Sequence, residues 1–352
     1  MSDLFSSVII SWYNQNKRDL PWRKESDPFK IWLSEIILQQ TQVVQGLSYY
    51  VKFTEAFQNV HELADASEEE VLKLWQGLGY YSRARNLHFT AKYISQELNG
   101  VFPDTYSDII RLKGVGHYTA SAIASFVYGE KVAVLDGNVY RVLSRVYGVT
   151  DAINTTSGEK LFRELALDLL PEHNVDSYNQ GIMEFGALQC VPKSPKCEVC
   201  PLLNHCNAYK NDIVSKLPVK LKKTKVKPLY IHFFILRRKG KVWLRKRVGQ
   251  GIWQNLWEFP NISSDQEMKV AEAIESWISV SGMRNITITK SISADKHLLS
   301  HKRIFSFFHM IEGAGEIPEE LGVPVSIEDY ESYPVHRLMS KFIDQNEDIL
   351  RD

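Results

Sequence analysis

The sequence predicts a protein of two domains, of which the first is mainly α-helical and the second is α+β. From residue 1 to about 212, apolar residues recur at the three- and four-residue spacings of helices joined by short turns. From residue 228 onward, runs rich in β-branched and aromatic residues predict strands, with one helix among them. A length of 352 residues suits about two domains, each able to bury a core.

The composition is that of a soluble globular protein, with 44% apolar and 24% charged residues. No apolar run reaches the ~20 residues that a membrane-spanning helix needs. The N-terminal segment has no basic start, and Phe5, Val8 and Trp12 are spaced as one helix face, which argues against a secretory signal. All four cysteines lie between Cys190 and Cys206, which is typical of a metal-ligand set rather than of a disulfide framework, so we expect a cytoplasmic protein. From the lack of a long apolar run we also expect that the protein binds no membrane.

The basic residues are concentrated although the net charge is zero. Between Ile213 and Trp257 there are 13 lysines and arginines and no acidic residue. Such a local field can hold a phosphate backbone while the whole chain stays neutral. Residues 213–227 of this stretch are predicted to be a basic linker between the domains.

A helix, a glycine-rich hairpin and a second helix are predicted over residues 104–128. Asp104 is expected to cap the first helix. The hairpin contains Gly114, Val115 and Gly116, and its two glycines allow backbone geometry that a β-carbon would forbid. The second helix begins with free backbone N–H groups that point into the hairpin, so the sequence predicts a phosphate site there.

Two carboxylates occur in apolar surroundings. Asp136 ends an apolar run about twenty residues beyond the hairpin, and on its own it could equally cap a helix that begins near Val139. Glu35 lies in an apolar helical segment, with Ile31 and Leu38 on its face. A carboxylate there is costly unless it is paired or protonated, so Glu35 is either a satisfied helix carboxylate or a functional acid.

The pattern Cys190-x6-Cys197-x2-Cys200-x5-Cys206 predicts a metal centre. Four thiolates suit either zinc or an iron–sulfur cluster, because both favour soft sulfur donors. The spacing alone does not choose between them. His205 is expected to be a bystander, since the cysteines already fill a set of four ligands.

The run from Trp75 to Asn86 combines two glycines, two tyrosines and two arginines. This mixture is suited to stacking on bases and gripping phosphate. The alternative is a tight turn between helices with aromatic residues in the core, which we expect to hold for Tyr81.

Together these features resemble the A/G-specific adenine DNA glycosylases, a family of helix-hairpin-helix base-excision enzymes. The resemblance is carried by the hairpin LKGVG followed by LDGN, by WLSEIILQQTQV around Glu35, by the Trp75–Asn86 run and by the cysteine spacing. It covers nearly the whole chain and is densest from Trp22 to Cys206. It implies an all-α helix-hairpin-helix glycosylase domain over residues 1–212, with a [4Fe–4S] cluster held by the four cysteines in the loop 190–206.

The resemblance implies a hydrolase that flips adenine, paired with 8-oxoguanine or guanine, out of double-stranded DNA and breaks its N-glycosidic bond. Glu35 would protonate the base and Asp136 would stabilise positive charge on the sugar. Tyr118 and Asn138 would orient Asp136 and its water. Relatives that resemble endonuclease III carry a lysine at the position of Tyr118, and a phenol cannot form a Schiff base. We therefore expect base removal without backbone cleavage.

Further substrate contacts are implied by the same resemblance. Trp22 and Arg23 would line the adenine pocket, although Trp22 could equally be a core aromatic residue. Gln180 would reach the exocyclic amine of adenine, since an amide offers both a donor and an acceptor. Gln40 and Tyr80 would fill the space that the flipped adenine leaves in the duplex or would contact the base that was paired with it.

Residues 228–352 are expected to form the α+β domain. Its predicted elements are strands at 230–236, 241–247, 286–292 and 304–311 and a helix at 266–280. The domain resembles a Nudix-like domain, but its helix lacks the R-E-x-x-E-E cluster that holds magnesium in Nudix hydrolases, so a lesion-recognition domain is implied rather than a second enzyme. The family's F-S-H-type loop for 8-oxoguanine corresponds here to Leu299, Ser300 and His301, with leucine in place of phenylalanine.

Two other functions fit part of the sequence. A bifunctional endonuclease III-like glycosylase/lyase is disfavoured by Tyr118 and by the additional C-terminal domain. A non-catalytic lesion-binding protein is disfavoured because Glu35 and Asp136 are both present. The preferred interpretation is a monofunctional adenine glycosylase that acts as a monomer on DNA in a bacterial cytoplasm.

Overall fold

The computed structural model describes residues 2–221, 226–283, 286–313, 316–346 and 349–350. The chain forms two compact units, one of Met1–Asp65 with Asn86–Lys222 and the other of Ala66–Arg85 with Lys223–Asp352. Among the described residues, no helix combines the length and apolarity that crossing a membrane requires. The predicted linker 213–227 includes residues 222–225, which lie outside the described residues, and the predicted limits of the linker and of the two domains remain predictions.

The first unit is helical, as predicted. The helices up to residue 221 are α1 Ser2–Asn16, α2 Pro28–Leu38, α3 Val43–Ala56, α4 Val60–Asp65, α5 Glu68–Leu74, α6 Ser82–Glu97, α7 Tyr106–Ile109, α8 His117–Tyr128, α9 Gly137–Tyr147, α10 Thr156–Asp168, α11 Val175–Leu188 and α12 Asn207–Lys210. Of these, α5 and the start of α6 belong to the second unit. The first unit buries a core between α1, α8, α9, α10 and α11, in which Ile9, Val142 and Phe185 are fully buried. Burying each such side chain contributes about 1.5–3 kcal/mol to the free energy of folding.

The helix-hairpin-helix is present as α7, the hairpin and α8, but two details of the prediction are wrong. Thr105, not Asp104, caps α7, because its hydroxyl accepts a hydrogen bond from the Asp108 backbone N–H at 3.3 Å. Only one of the two glycines needs its special backbone freedom. Gly114 has φ +82°, whereas Gly116, at the N-cap of α8, has φ −99° and room for a β-carbon.

The second unit contains a mixed eight-stranded sheet, which confirms the predicted α+β class. Its strands are β1 Lys227–Arg238, β2 Lys241–Lys246, β3 Trp257–Glu258, β4 Asn261–Ser264, β5 Ile286–Ser293, β6 His297–Leu298, β7 Lys302–Gly313 and β8 Val323–Ser326. β1 pairs with β7 in parallel, and the other pairings of these strands are antiparallel. Helix α13 spans Val270–Ser281 and so begins four residues later than predicted, and α14 spans Arg337–Gln345.

Residues 66–85 pack within the second unit although they occur early in the chain. Glu69 forms an ion pair with Lys246 on β2 at 2.8 Å and accepts a hydrogen bond from the Trp257 indole at 3.1 Å. The hydroxyl of the buried Tyr81 donates to the Val335 carbonyl oxygen at 3.3 Å. The expectation that Tyr81 is a core residue is therefore confirmed.

Candidate active site and cysteine loop

Glu35 is buried in the middle of α2. The helix is apolar on several faces, so its side chains are enclosed and only 5% of Glu35 is exposed. Burial raises the pKa of Glu35 to about 7, with a smaller upward contribution from the charge of Asp136 and a downward one from a hydrogen bond with Tyr118. One carboxylate oxygen, Oε2, has no hydrogen-bond partner among the described residues. Glu35 is therefore a carboxyl group that can hold and release a proton near neutral pH.

Asp136 is the N-cap of α9, as the alternative interpretation of its sequence position predicted. Its Oδ1 accepts hydrogen bonds from the backbone N–H groups of Asn138 at 2.8 Å and Val139 at 2.7 Å, and its Oδ2 accepts one from the Asn138 side chain at 2.6 Å. Burial raises the pKa of Asp136, and these hydrogen bonds oppose that rise. The capping role fixes the carboxylate in one orientation.

The two carboxyl groups line a single cavity in the first unit. Seven of the predicted site residues line it, and they are Glu35, Asp136, Tyr118, Asn138, Trp22, Arg23 and Gln180. They come from α2, α8, α9, α11 and the short helical turn Pro21–Arg23. When two acids of raised pKa line one cavity, one of them can donate a proton while the other, in its ionised form, stabilises a cation.

Tyr118, near the start of α8, is partly buried and lines the cavity. Its hydroxyl donates to the Met183 sulfur at 3.4 Å. Burial, followed by the charges of Glu35 and Asp136, raises its pKa well above the ordinary value, so it remains a neutral phenol.

Trp22 and Arg23 are held at the cavity by neighbours that the sequence analysis did not identify. The Trp22 ring packs edge-on against Tyr50, with centroids 5.2 Å apart. Arg23 and Arg18 both form ion pairs with the buried Glu184, at 2.8 Å and 2.5 Å. Although burial alone would raise it, hydrogen bonds from the two arginines lower the pKa of Glu184 to about 2. No local pattern signals this group, because more than 150 residues separate Glu184 from either arginine.

Four predicted contacts do not line this cavity. Gln40 follows α2, is exposed and has φ +55°. Tyr80 belongs to the second unit, is 47% exposed and has φ +48°. Ser300 and His301 lie on an exposed turn between β6 and β7 of the second unit, with the Ser300 hydroxyl 3.3 Å from Nδ1 of His301.

Arg141 joins the site to the cysteine loop. Its guanidinium donates to Asn138 Oδ1 at 2.8 Å and, through Nε, to the Cys190 carbonyl oxygen at 2.7 Å. Asn138 and Arg141 are three residues apart on α9, so the sequence spacing is consistent with their contact. The contact of Arg141 with Cys190 has no such local indication. The helices that carry these groups approach closely, because a β-carbon on Gly186 of α11 would lie 2.7 Å from that of Asn138.

The four cysteines line one pocket, and its surroundings suit an anionic metal cluster. Arg145 is 2% exposed and donates to backbone carbonyl oxygens and, at 3.4 Å, to the Cys190 sulfur. A buried guanidinium is stabilised by nearby negative charge, which thiolate ligands supply. The residues present therefore fit a thiolate-bound cluster.

Comparison with known families divides the chain in the same way. Residues 33–167 match the HhH-GPD superfamily of base excision DNA repair proteins. Residues 190–206 match the iron-sulfur binding domain of endonuclease III, and residues 232–345 match the NUDIX domain. The cofactor is a [4Fe–4S] cluster, and the second unit carries a Nudix-like domain.

Individual proteins agree with these families. The adenine DNA glycosylase of Buchnera aphidicola subsp. Schizaphis graminum is 38% identical over 307 residues, which cover 87% of this chain and 83% of that protein. The Arabidopsis thaliana adenine DNA glycosylase is 32% identical over 86% of this chain and 54% of its own length. Among solved structures, a thermostable thymine-DNA glycosylase is 31% identical, covers 60% of this chain and 97% of its own, and superposes with a TM-score of 0.56. An endonuclease III–DNA complex, 20% identical over 60% of this chain and 98% of its own, shares the fold with a TM-score of 0.52.

Proposed function

This chain belongs to the adenine DNA glycosylases of base-excision repair, and from that premise we propose that it removes adenine paired with 8-oxoguanine or guanine and leaves the DNA backbone intact. The observation that carries the proposal is the cavity that Glu35 and Asp136 line together. Most enzymes that break a glycosidic bond use a pair of carboxyl groups.

Glu35 acts as the general acid. Adenine leaves DNA poorly as an anion, and protonation of a ring nitrogen such as N7 makes it a neutral leaving group. With a pKa of about 7, Glu35 is protonated in a large fraction of molecules at neutral pH. After the bond breaks, the Glu35 carboxylate can take a proton from the attacking water.

Asp136 stabilises the positive charge that develops on the sugar. Its three hydrogen bonds hold the carboxylate in place before the reaction, so no reorganisation is needed as the charge appears. Asn138 supplies two of these bonds, and Arg141 in turn holds the Asn138 side chain. The [4Fe–4S] cluster, held by the four cysteines, supplies no step of the hydrolysis and orders the loop that carries it.

The reaction stops at base removal because the cavity offers a phenol where a lyase needs an amine. Tyr118 stays neutral and cannot form a Schiff base with the sugar. The hairpin around Gly114 and Gly116, at the N-terminus of α8, is assigned as the part of the chain that binds a DNA phosphate. Gln40, which is exposed just after α2, is assigned to contact the DNA where the flipped adenine leaves its base pair.

Recognition of the opposite base is assigned to the second unit. Tyr80, Ser300 and His301 are exposed on it and available to a ligand. Ser300 and His301 are assigned the polar contacts to 8-oxoguanine, whereas Leu299, in place of the family's phenylalanine, has no aromatic ring to stack on it. Ser300→Ala should therefore reduce the preference for adenine opposite 8-oxoguanine over adenine opposite guanine. The enzyme is further proposed to act as a monomer on cytoplasmic DNA.

A gel assay tests the proposal. A duplex with one adenine opposite 8-oxoguanine is incubated with the enzyme and analysed with and without hot alkali. Strand breaks that require alkali support it. Breaks without alkali, together with an adduct trapped by borohydride, would identify a lyase instead, and a mobility shift without product would identify a binding protein.

A further inference from the structure

Tyr13 lies behind the base-binding cavity and contacts Gln180, one of the residues that line it. The Tyr13 hydroxyl, on α1, donates a hydrogen bond to Oε1 of Gln180, on α11, at 2.8 Å. Tyr13 is 4% exposed and does not line the cavity. It can therefore act on a bound base only through Gln180.

This hydrogen bond decides which end of the Gln180 amide faces which neighbour. The two ends of an amide side chain have nearly the same shape but opposite hydrogen-bonding character. Among the described residues, the hydrogen bond of the Tyr13 hydroxyl runs to Gln180 Oε1, so turning the amide over would leave a nearly buried O–H proton without this acceptor. The orientation with the oxygen toward Tyr13 is thereby favoured.

The helices around this contact hold it rigidly. A β-carbon on Gly181, the residue after Gln180, would lie 3.1 Å from that of Tyr13 and 3.0 Å from the Ile9 side chain, so α1 and α11 touch at this point. The Arg23 guanidinium lies 5.4 Å from the centroid of the Tyr13 ring. The close approach of α1 and α11 keeps the backbones that carry the two partners near each other.

We propose that Tyr13 is a positioning residue that makes the enzyme selective for purines with an exocyclic amine. A carbonyl oxygen has two lone pairs, so Oε1 can accept from Tyr13 and from the amine of adenine at the same time. Without Tyr13 the amide turns freely, and in half of its orientations an N–H group opposes the N–H of the amine. This inference rests on the proposed function, since it takes adenine to be the base in the cavity.

The test compares two bases in otherwise identical duplexes. Adenine or unsubstituted purine, which lacks the amine, is placed opposite 8-oxoguanine, and single-turnover excision rates are measured for the wild type and Tyr13→Phe. We expect the variant to lose about twofold in the rate for adenine, because the amide then presents its oxygen in only about half of its orientations, and to keep the rate for purine. The ratio of the two rates does not depend on how much of the enzyme is folded.

A second substitution distinguishes positioning from loss of structure. Gln180→Glu offers an acceptor oxygen at both ends, so turning the group over changes nothing, and the double variant with Tyr13→Phe should regain the preference for adenine. Tyr147→Phe, which removes a hydroxyl elsewhere in the same unit, is the matched control and should leave the ratio unchanged.

An unchanged ratio in Tyr13→Phe, an equal loss for both bases, or failure of the double variant to recover would each overturn the inference. These results differ from failure of the proposed function, in which the wild type itself would not excise adenine.

Discussion

Replacement of Glu35 by glutamine should slow excision strongly and at the same time stabilise the fold above about pH 5. The side chain keeps its shape but can no longer donate a carboxyl proton. We expect single-turnover excision of adenine to fall by about 10²–10⁴-fold, the usual contribution of a positioned general acid. Binding of the duplex should remain, because the substitution does not alter the hairpin.

The gain in stability follows from the pKa of the buried carboxyl. Glu35 ionises at about 7 in the folded chain, against an ordinary value of 4.5. At 1.36 kcal/mol for each pH unit, keeping the ionised group buried costs the wild type about 3 kcal/mol of unfolding free energy at pH 8, about 2 kcal/mol at pH 6 and about 1 kcal/mol at pH 5. Glutamine has no such cost at any pH.

The sign of the pH dependence is fixed by the direction of the shift. Because the folded-state pKa of Glu35 is raised, its contribution is fully present below pH 4.5 and is lost as the pH rises toward about 7. The advantage of Glu35→Gln over the wild type should therefore be near zero at pH 4.5, grow through this interval and stay constant above it. Wild-type excision should decline as the pH rises through about 7, where Glu35 loses its proton in the folded enzyme.

Urea unfolding at a series of pH values, followed by circular dichroism, measures the effect. Glu55→Gln is the matched control, since it makes the same substitution at an exposed position on α3. A stability difference between Glu35→Gln and the wild type that does not grow with pH would refute the reasoning. So would a wild-type excision rate that stays constant from pH 6 to pH 9.

Three further predictions concern the hairpin, the second acid and the cluster. Gly114→Ala should lower the unfolding free energy by about 2 kcal/mol, because φ is +82° and the new β-carbon would lie 2.7 Å from that of Asn86. Gly116→Ala should lower it by only about 0.5 kcal/mol, and urea unfolding of the two variants measures both effects. Asp136→Asn should keep the cap of α9 through Oδ1 but should lose at least about 10²-fold in single-turnover excision, because its side chain no longer carries a negative charge. Arg145→Gln should reduce the iron bound per chain at least about twofold in a colorimetric assay, because it removes the buried cation beside the Cys190 thiolate.

The elements that could be predicted from the sequence are those whose signals are local. The helical first part, the strands β1, β2, β5 and β7 and the cysteine loop all follow from the spacing of residues a few positions apart. The errors are also local in kind. The identity of a residue does not fix its backbone angles, so the sequence does not reveal that Gly114 has a positive φ and Gly116 does not. Nor does it decide between the neighbours Asp104 and Thr105, either of which could cap α7.

Some residues of the candidate site also have a local sequence signal, and others do not. Glu35 and Asp136 could be singled out because a carboxylate in an apolar run is unusual by itself. Glu184 could not, since its sequence surroundings resemble those of an ordinary helical glutamate and its partners Arg18 and Arg23 lie more than 150 residues away. The packing of residues 66–85 in the second unit was equally invisible, because it depends on contacts with strands that are nearly 200 residues distant.

The helical and α+β halves, the four-cysteine ligand set and the two candidate acids follow from the order of the amino acids, because periodicity, ligand spacing and the cost of a buried charge can all be evaluated within a short window. The folded chain adds that these acids line one cavity, that Asp136 also caps a helix, and that Tyr13 and Glu184 hold the residues around the cavity. Which distant helices meet depends on how all their apolar faces pack at once, and no single segment carries that information.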